Sequence, residues 1–293
     1  MPLKKVILCP NPYRDKGLAA AKEAAKILEE VGIRTVACLP FRMEGSGQET
    51  DLELRPLQQE LRGGDLLVAF GGDGTILHLA KAAATHGLPV LGVNLGSLGF
   101  MSELERNEMH LLRNLATGAY RKERRMMMDV FVEREGRRVY NNLGLNDAVV
   151  TKGAVARVIR MDVHVGKAHL GLVEGDGVVI ATPTGSTAYS LSAGGPIVEP
   201  VTKNFIVSPI CAHSIHSNSY VLSAGNTIAV VPRDIGRKPV LLSVDGGKPF
   251  SLRAGDRVTV RCSRYETELV RLSDKSIFEV LRTKMTGELH HEE

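Results

Sequence analysis

A carboxylate lies inside a glycine-rich turn in the first third of the chain, at Phe70-Gly71-Gly72-Asp73-Gly74-Thr75. Glycines let backbone N–H groups approach an anion without obstruction by a Cβ atom. The helix predicted to follow adds its dipole and free N–H groups, which favours a phosphate. A carboxylate repels phosphate, so Asp73 needs another role, such as taking a proton from a hydroxyl or holding Mg²⁺. The alternative is a tight turn in which Asp73 caps the helix. The turn alone does not decide between these, and the chain contains neither GxxxxGK[ST] nor a complete GxGxxG.

Two further glycine-rich stretches follow later strands. Gly92–Phe100 leaves the next predicted strand at the edge of the sheet where ligands usually bind. Gly175–Pro196 is denser, and its part Thr182-Pro183-Thr184-Gly185-Ser186-Thr187-Ala188-Tyr189 carries short hydroxyl side chains and little bulk. Such a segment suits a sugar, a nucleobase and a pyrophosphate better than an apolar substrate.

Other polar groups admit two interpretations. Asn146-Asp147 is typical of a turn, but beside these loops it could instead bind a diol. His213 and His216 have i, i+3 spacing without a third ligand type nearby, so we interpret them as polar loop residues rather than a metal site. The four cysteines are scattered and predict neither a zinc site nor a disulfide framework.

The elements that position these loops fall into two patterns. Over the first 120 residues, strands alternate with helices, which predicts a parallel sheet with right-handed crossovers. The predicted strands are Lys5–Cys9, Thr35–Leu39, Asp65–Phe70 and Pro89–Val93, and the predicted helices are Leu18–Val31, Leu52–Leu61, Ile76–His86 and Leu104–Gly118.

The second pattern begins after the charge run Arg121–Arg125. Such a run is usually a solvated face or a linker, and we interpret this one as the domain boundary. From Met126 to Val270 the signals are short β runs between turns, which predicts an all-β domain. A final element, Ile277–Thr283, is a helix or a strand whose Ile277, Phe278, Val280 and Leu281 should be buried against the first domain. We therefore predict an α/β domain of residues 1–122 with 271–293, and a β domain of residues 123–270.

Composition excludes several classes of protein. Apolar residues make up 43% and charged residues 24%, and the net charge is +4, which does not indicate a nucleic-acid binder. Aromatic residues are only 4%, without Trp, which argues against a stacking surface for single strands. No apolar run approaches a membrane span, and no signal peptide is evident, so we expect a cytoplasmic protein without membrane association.

Taken together and in this order, the motifs resemble the NAD kinase family over nearly the whole chain. The GGDGT turn is shared with lipid kinases and 6-phosphofructokinases, whereas the hydroxyl-rich segment Thr182–Pro196 is highly specific. The segments that carry the resemblance are Gly71–Thr75, Asn94–Phe100, Asn146-Asp147, Gly175–Gly177, Thr182–Tyr189, Ser192–Pro196 and Ser276–Lys284.

The resemblance implies ATP-dependent phosphorylation of the adenosine ribose 2′-hydroxyl of NAD, giving NADP. It implies Asp73 as general base, Gly72, Gly74 and Thr75 at the phosphates, and Mg²⁺ with the phosphoryl donor. It further implies a homo-oligomer, a dimer or a tetramer, with NAD between the two domains. The residues implied around NAD are Phe100, Asn146, Asp147, Asp176, Thr184, Thr187, Ala188, Tyr189 and Ser192, with His213 as a further candidate.

The sequence departs from the family at three places. Ala212 replaces Pro in the Cys-Pro-His segment, Asn218-Ser219 stands where Arg-Pro is usual, and Gly247 stands where Gln is common. A lipid or small-molecule kinase of the GGDGT type would lack the hydroxyl-rich stretch, and a non-catalytic dinucleotide-binding regulator would lack Asp73. The donor (ATP, another nucleoside triphosphate or polyphosphate) and the preference between NAD and NADH stay open.

Overall fold

The computed structural model describes residues 3–41, 52–97, 99–153, 158–213, 218–233 and 239–286. Its strands are, in chain order, β1 (Lys5–Pro10), β2 (Arg34–Cys38), β3 (Leu54–Arg55), β4 (Leu66–Gly71), β5 (Val90–Asn94), β6 (Leu104–Glu105), β7 (Arg121–Arg134), β8 (Arg137–Gly144), β9 (Asp147–Lys152), β10 (Ile159–Val165), β11 (Ala168–Gly175), β12 (Gly177–Ala181), β13 (Asn204–Ile210), β14 (Tyr220–Ser223), β15 (Ile228–Arg233), β16 (Val240–Val244), β17 (Phe250–Leu252) and β18 (Arg257–Arg271). The α-helices are α1 (Ala19–Glu30), α2 (Leu57–Glu60), α3 (Asp73–His86), α4 (Asn114–Thr117), α5 (Tyr189–Ser192) and α6 (Ile277–Thr286), and the 3₁₀ helices are Lys16–Leu18, Arg106–Arg113 and Thr184–Thr187.

The described residues form two units, one from Met1–Arg124 with Thr267–Glu293 and the other from Arg125–Glu266. The first unit contains a parallel sheet in the order β18-β5-β4-β1-β2-β3, with β6 beside β5. Strand β4 is buried along its whole length, as expected of a parallel strand covered on both faces.

The connections of the first unit diverge at the end of β4. Strands β1 and β4 are neighbours, but the chain leaves β1 through α1 toward β2 and leaves β4 through α3 toward β5. Because parallel crossovers are right-handed, α1 and α3 cover opposite faces of the sheet. Ligands of such folds bind where the connections diverge, at the carboxyl ends of the strands. The glycine-rich turn that follows β4 lies at that point.

The second unit is built from antiparallel sheets. One has the order β14-β13-β12-β9-β16-β17, and the other pairs β11-β10-β15-β18, with β7 and β8 forming a further pair. Their apolar faces share one core, which includes Val130, Val150, Val178, Phe205 and Val230. The α/β first unit, the mostly β second unit and the return of the C-terminal segment to the first unit confirm the predicted fold class.

Two predicted helices are wrong in part. Leu104–Gly118 is a short strand, a 3₁₀ helix and one turn of α-helix, because a 3₁₀ helix also keeps residues three apart on one face. Leu52–Leu61 contains β3 and the one-turn α2, because Pro56 disfavours helical backbone in the residue before it.

The two units divide within the charge run Arg121–Arg125, between Arg124 and Arg125, but the run is not solvated along its whole length. It begins strand β7, and Arg125 is 2% exposed. Lys122 and Arg124 are exposed and both pair with Glu268, at 3.0 and 3.4 Å. The run therefore contains exposed ion pairs and one buried guanidinium. The charges of the sequence alone do not show which of these residues is buried.

The final element is a helix, α6, and its predicted burial is wrong at one position. Ile277, Val280 and Leu281 are partly buried, whereas Phe278 is 64% exposed. An amphipathic helix packs against the protein along one narrow stripe of side chains. Phe278 lies outside the stripe formed by Ile277, Val280 and Leu281.

Candidate functional site

Asp73 is the first residue of α3 and is separated from the buried strand β4 by one residue, Gly72. The preceding Gly72 is the helix cap and has extended backbone, so Asp73 is not the capping residue of the alternative interpretation. Its carboxylate instead accepts two hydrogen bonds from a distant loop, from the Phe100 N–H at 2.7 Å and the Met101 N–H at 3.0 Å. A carboxylate has about four acceptor positions, so these bonds orient Asp73 and leave capacity for a further donor.

Gly99 makes this arrangement sterically possible. A Cβ atom at Gly99 would lie 2.3 Å from Asp73 Oδ1 and 3.0 Å from Ser102 Oγ. The Gly99–Glu103 segment, hereafter the 99–103 loop, therefore packs directly on the carboxylate. Ser102 Oγ is buried and makes no hydrogen bond within the described residues.

The other glycines of the turn serve two different purposes. A Cβ atom at Gly71 would lie 2.3 Å from Thr75 Oγ1, so Gly71 is required by packing, whereas one at Gly72 or Gly74 would meet nothing within 4 Å. Thr75 is buried, and its hydroxyl accepts a hydrogen bond from Asn11 Nδ2 at 3.2 Å. Gly72 and Gly74 thus leave open surface at a helix N-terminus, and Thr75 is held by the protein itself.

In the second unit, Asp245 fixes the backbone that carries Asn146 and Asp147. Its carboxylate accepts the N–H groups of Leu145, Asn146 and Asp147 at 2.7, 2.8 and 3.1 Å. Burial, and secondarily the charge of Asp245, raises the pKa of Asp147 to about 7. Burial also raises the pKa of Asp245, but its three N–H bonds oppose that shift.

Asn146 joins this loop to the hydroxyl-rich segment. The Thr182 N–H donates to the Asn146 carbonyl at 2.8 Å, and a Cβ atom at Gly185 would lie 2.1 Å from that same oxygen. Asn146 Oδ1 is buried and has no partner among the described residues. An unpaired buried amide oxygen costs free energy unless a ligand donates a hydrogen bond to it. Asn146 Oδ1 is therefore a candidate acceptor for a ligand.

The hydroxyl-rich segment presents its predicted residues at different depths. Thr184 is buried, and its Oγ1 accepts a hydrogen bond from Arg125 Nη1 at 3.3 Å. Thr187 and Ala188 are partly buried, whereas Tyr189 is 44% exposed and Ser192 is exposed. The structure therefore places Asn146, Asp147 and this segment side by side within one unit.

Asp176 lies away from that group. Strands β9 and β12 are antiparallel, with Asp147 opposite Ala181 and Thr151 opposite Gly177. Asp176 precedes β12 and pairs with Lys152 Nζ at 2.6 Å, at the far end of β9 from Asp147. Five residue steps of about 3.4 Å separate those ends by about 17 Å, so the structure does not bring Asp176 to Asn146 and Asp147 within this unit.

The remaining candidates are peripheral. His213 is exposed, and its N–H donates to the Glu174 carbonyl at 2.9 Å; His216 lies outside the described residues. Ser219, one of the departures from the family pattern, donates to Ser208 Oγ at 3.0 Å, and that hydroxyl lies 3.3 Å from Ser190 Oγ of the hydroxyl-rich segment. Within the described part of the chain, no three His, Cys, Asp or Glu side chains form a metal-binding group, and no helix is long and apolar enough to span a membrane.

Three residues that contact the predicted candidates, two in the second unit and one in the first, were not identified from the sequence. Asp245 and Arg125 act through the backbone and a hydroxyl group of the predicted residues, and Arg271 contacts the 99–103 loop. Asp245 has φ +51°, so its Asp-Gly-Gly setting in a turn was the one local signal available. The two arginines gave none.

The chain matches known proteins along both units. Residues 6–120 match the sequence model of the ATP-NAD kinase N-terminal domain, and residues 145–272 match that of the ATP-NAD kinase C-terminal domain. The NAD kinase of Acetivibrio thermocellus is 34% identical over 282 residues, which are 96% of this chain and 96% of that protein. The NAD kinase of Symbiobacterium thermophilum is 42% identical over 228 residues, 76% of this chain and 79% of that protein.

Two solved structures share the fold. A yeast NADH kinase complexed with NADH superposes with a TM-score of 0.83 at 25% identity, covering 100% of this chain and 90% of that chain. An NAD kinase from Archaeoglobus fulgidus in complex with ATP superposes with a TM-score of 0.73 at 24% identity, covering 97% of this chain and 100% of that chain. The second likeness concerns the fold alone.

Proposed function

The chain belongs to the ATP-NAD kinase family, and on that premise we propose that Asp73 is the general base that activates the acceptor hydroxyl of NAD. The observation that carries this proposal is a carboxylate held by two backbone N–H groups, with acceptor capacity left, beside a glycine turn that is open to phosphate.

The reaction transfers one phosphoryl group from ATP to NAD. The 2′-hydroxyl of the adenosine ribose gives its proton to Asp73 as its oxygen attacks the γ-phosphorus. The bond between the γ-phosphorus and the β–γ bridging oxygen breaks, and ADP leaves with the electron pair of that bond. The products are NADP and ADP. Gly72 and Gly74 serve by leaving backbone N–H groups accessible to phosphate oxygens.

In the second unit, we assign dinucleotide binding to Asn146 and to the segment from Thr184 to Ser192. The orphaned Asn146 Oδ1 supports this assignment because it needs a donor that a ribose hydroxyl or a carboxamide can supply. Phe100, Asp147 and Asp176 join the proposal through the family resemblance, with His213 as a weaker candidate.

Mg²⁺ enters this proposal with the nucleotide rather than as a resident ion. Mg²⁺ is usually held by one or two carboxylates together with substrate phosphates, so it does not require the three-ligand protein group that the described residues lack. Bound Mg²⁺ supplies charge neutralisation on the phosphates.

We also propose that the protein is a homo-oligomer. Strand β14 lies at the edge of its sheet, and its Tyr220 and Val221 are 40% and 54% exposed. An exposed apolar edge strand favours association. Light scattering coupled to gel filtration measures the mass, and a monomer at micromolar concentration would refute this part.

The direct test of the activity is NADP formation from NAD with Mg²⁺ and ATP, with other nucleoside triphosphates and polyphosphate as separate arms. Gly72→Ala tests the phosphate-binding turn, because the added methyl meets no protein atom within 4 Å and can obstruct only a ligand. We expect a folded variant whose kcat falls at least about 10-fold.

Gly225→Ala is the matched control, since its Cβ atom would make only an ordinary contact at 3.7 Å, with Ser223 Oγ. Equal rates for the two variants would contradict the assigned role of the turn.

Asp176 has its own test because of its ion pair with Lys152. If Asp176 binds NAD, Asp176→Ala raises the KM for NAD about 10-fold, whereas Lys152→Ala does not. If Asp176 only holds Lys152, the two variants behave alike.

A further inference from the structure

The 99–103 loop, which orients Asp73, is held on its other side by the C-terminal segment of the chain. Arg271 Nη1 lies 3.3 Å from the Met101 carbonyl, 3.4 Å from the Ser102 carbonyl and 3.2 Å from Glu103 Oε2. Its Nη2 donates to Glu123 Oε1 at 3.1 Å. The backbone of Met101 therefore makes a hydrogen bond on each side: its N–H donates to Asp73, and its carbonyl accepts from Arg271.

Glu103 ties the same loop to the residues after Arg271. Its Oε1 accepts hydrogen bonds from the Leu272 N–H at 2.8 Å, the Ser273 N–H at 2.7 Å and Ser273 Oγ at 2.7 Å. Glu103 is 5% exposed and Arg271 is 8% exposed. Charge-assisted bonds in such a dry setting are stronger than those at a surface.

A third contact comes from the last helix. Lys284 Nζ lies 4.7 Å from the centroid of the Phe100 ring, and the Phe100 N–H is the other donor to Asp73. The segment from Arg271 to Lys284 thus contacts the loop at three successive places: Phe100, Met101-Ser102 and Glu103.

We propose that Arg271 is a positioning residue for the phosphoryl transfer, acting on the Asp73 carboxylate through the backbone of Met101. This inference rests on the proposed role of Asp73. The planar guanidinium has five donors in a fixed fork and reaches two carbonyls and two carboxylates together, which the ammonium of lysine cannot do.

The simpler explanation is that Arg271 forms a buried ion pair of structural value only. The second unit supplies a matched control of that kind: Arg134 and Asp256 form a two-bond pair at 2.7 Å for each bond, and Asp256 is fully buried. Lysine at either arginine position keeps the charge and loses the fork. We expect Arg271→Lys and Arg134→Lys to lower the melting temperature alike.

The two variants separate in kinetics. Arg271→Lys should lower kcat about 10- to 100-fold, the scale of a misplacement near 1 Å, while the KM for NAD changes less than about threefold. Arg134→Lys should keep kcat within about twofold. In the Asp73→Asn background, Arg271→Lys should have no further effect on kcat, because the group that it positions is already inactive.

Glu103→Gln provides a second route if Arg271→Lys does not fold, since its amide would face the guanidinium with a donor and displace it without a change of shape. The inference is overturned if the folded Arg271 or Glu103 variant keeps the wild-type kcat while Asp73→Asn is inactive. It is also overturned if Arg271→Lys lowers kcat by the same factor in the Asp73→Asn background as in the wild type. A wild-type kcat in Asp73→Asn overturns the role of Asp73 itself.

Discussion

Replacing Asp147 by asparagine should stabilise the protein at alkaline pH and leave it nearly unchanged at acidic pH. Asp147 is 6% exposed, and its pKa is raised from 3.8 to about 7 by burial and by the charge of Asp245. The folded state therefore holds a proton that the unfolded state releases above pH 4, and stability falls as the pH rises from about 4 to about 7. The difference between the two pKa values corresponds to about 4 kcal/mol.

Denaturant unfolding at pH 4.5, 6 and 8 measures this directly. The free energy of unfolding of Asp147→Asn should exceed that of the wild type at pH 8, by up to about 4 kcal/mol, and the gap should close toward pH 4.5. Parallel pH curves for the two proteins would refute the reasoning.

Asp256→Asn is the control with the opposite sign. Burial raises the pKa of Asp256, but the bonds from Arg134 and from the Arg253 N–H outweigh it and lower the pKa overall. That carboxylate stabilises the fold above its unfolded pKa and loses its contribution as the pH falls through its folded pKa. Asp256→Asn should therefore be less stable than the wild type at pH 8, and the difference should shrink under acidic conditions.

Three further changes test other parts of the site. Asn146→Ala should not lower the melting temperature, because Oδ1 has no partner in the described part of the protein, but it should raise the KM for NAD about 10-fold; the reverse pattern would mean a structural role. Gly99→Ala places a Cβ atom 2.3 Å from Asp73 Oδ1 and should lower kcat without unfolding the protein. Gly96→Ala adds only a 3.7 Å contact to Arg14 Nη1 and should leave kcat unchanged. Equal kcat values for the two variants would contradict the close packing of the 99–103 loop on Asp73. A chain ended at Glu268 loses Arg271 and the donors to Glu103, so it should melt earlier and form no NADP, whereas Phe278→Ser should be tolerated; an active truncation with an unchanged melting temperature would show the segment to be dispensable.

Much of the fold followed from hydrophobic pattern alone. Strand β12 is one of the short β runs expected between Met126 and Val270, because an uninterrupted apolar run between two turns admits few alternatives. The helix after β4 began three residues earlier than predicted, at Asp73, since Gly72 serves as its cap. Because glycine has a low helix propensity, the sequence predicted that Asp73 and Gly74 belong to the turn before the helix.

The contacts that orient the site could not be predicted in the same way. Asp73 binds the N–H groups of Phe100 and Met101, and Arg271 pairs with Glu103 across 168 positions of sequence. Such pairs depend on which strands become neighbours in the sheet, and a single sequence has no local signal for that. The motif identified the carboxylate, but not what holds it.

The kcat and the NAD affinity of Asp73→Asn, measured on the same preparation, test the central claim most directly. A base at the acceptor hydroxyl contributes about 10²- to 10⁴-fold to the rate. Asparagine keeps the shape of the side chain and one acceptor oxygen for the two N–H donors of the 99–103 loop, but it cannot take the proton. We predict a folded protein whose Kd for NAD, measured by titration calorimetry, stays within about threefold of the wild type. Its kcat for NADP formation should fall by about 10²- to 10⁴-fold. A folded Asp73→Asn that turns over at nearly the wild-type rate would contradict the account and leave Asp73 as the anchor of the 99–103 loop.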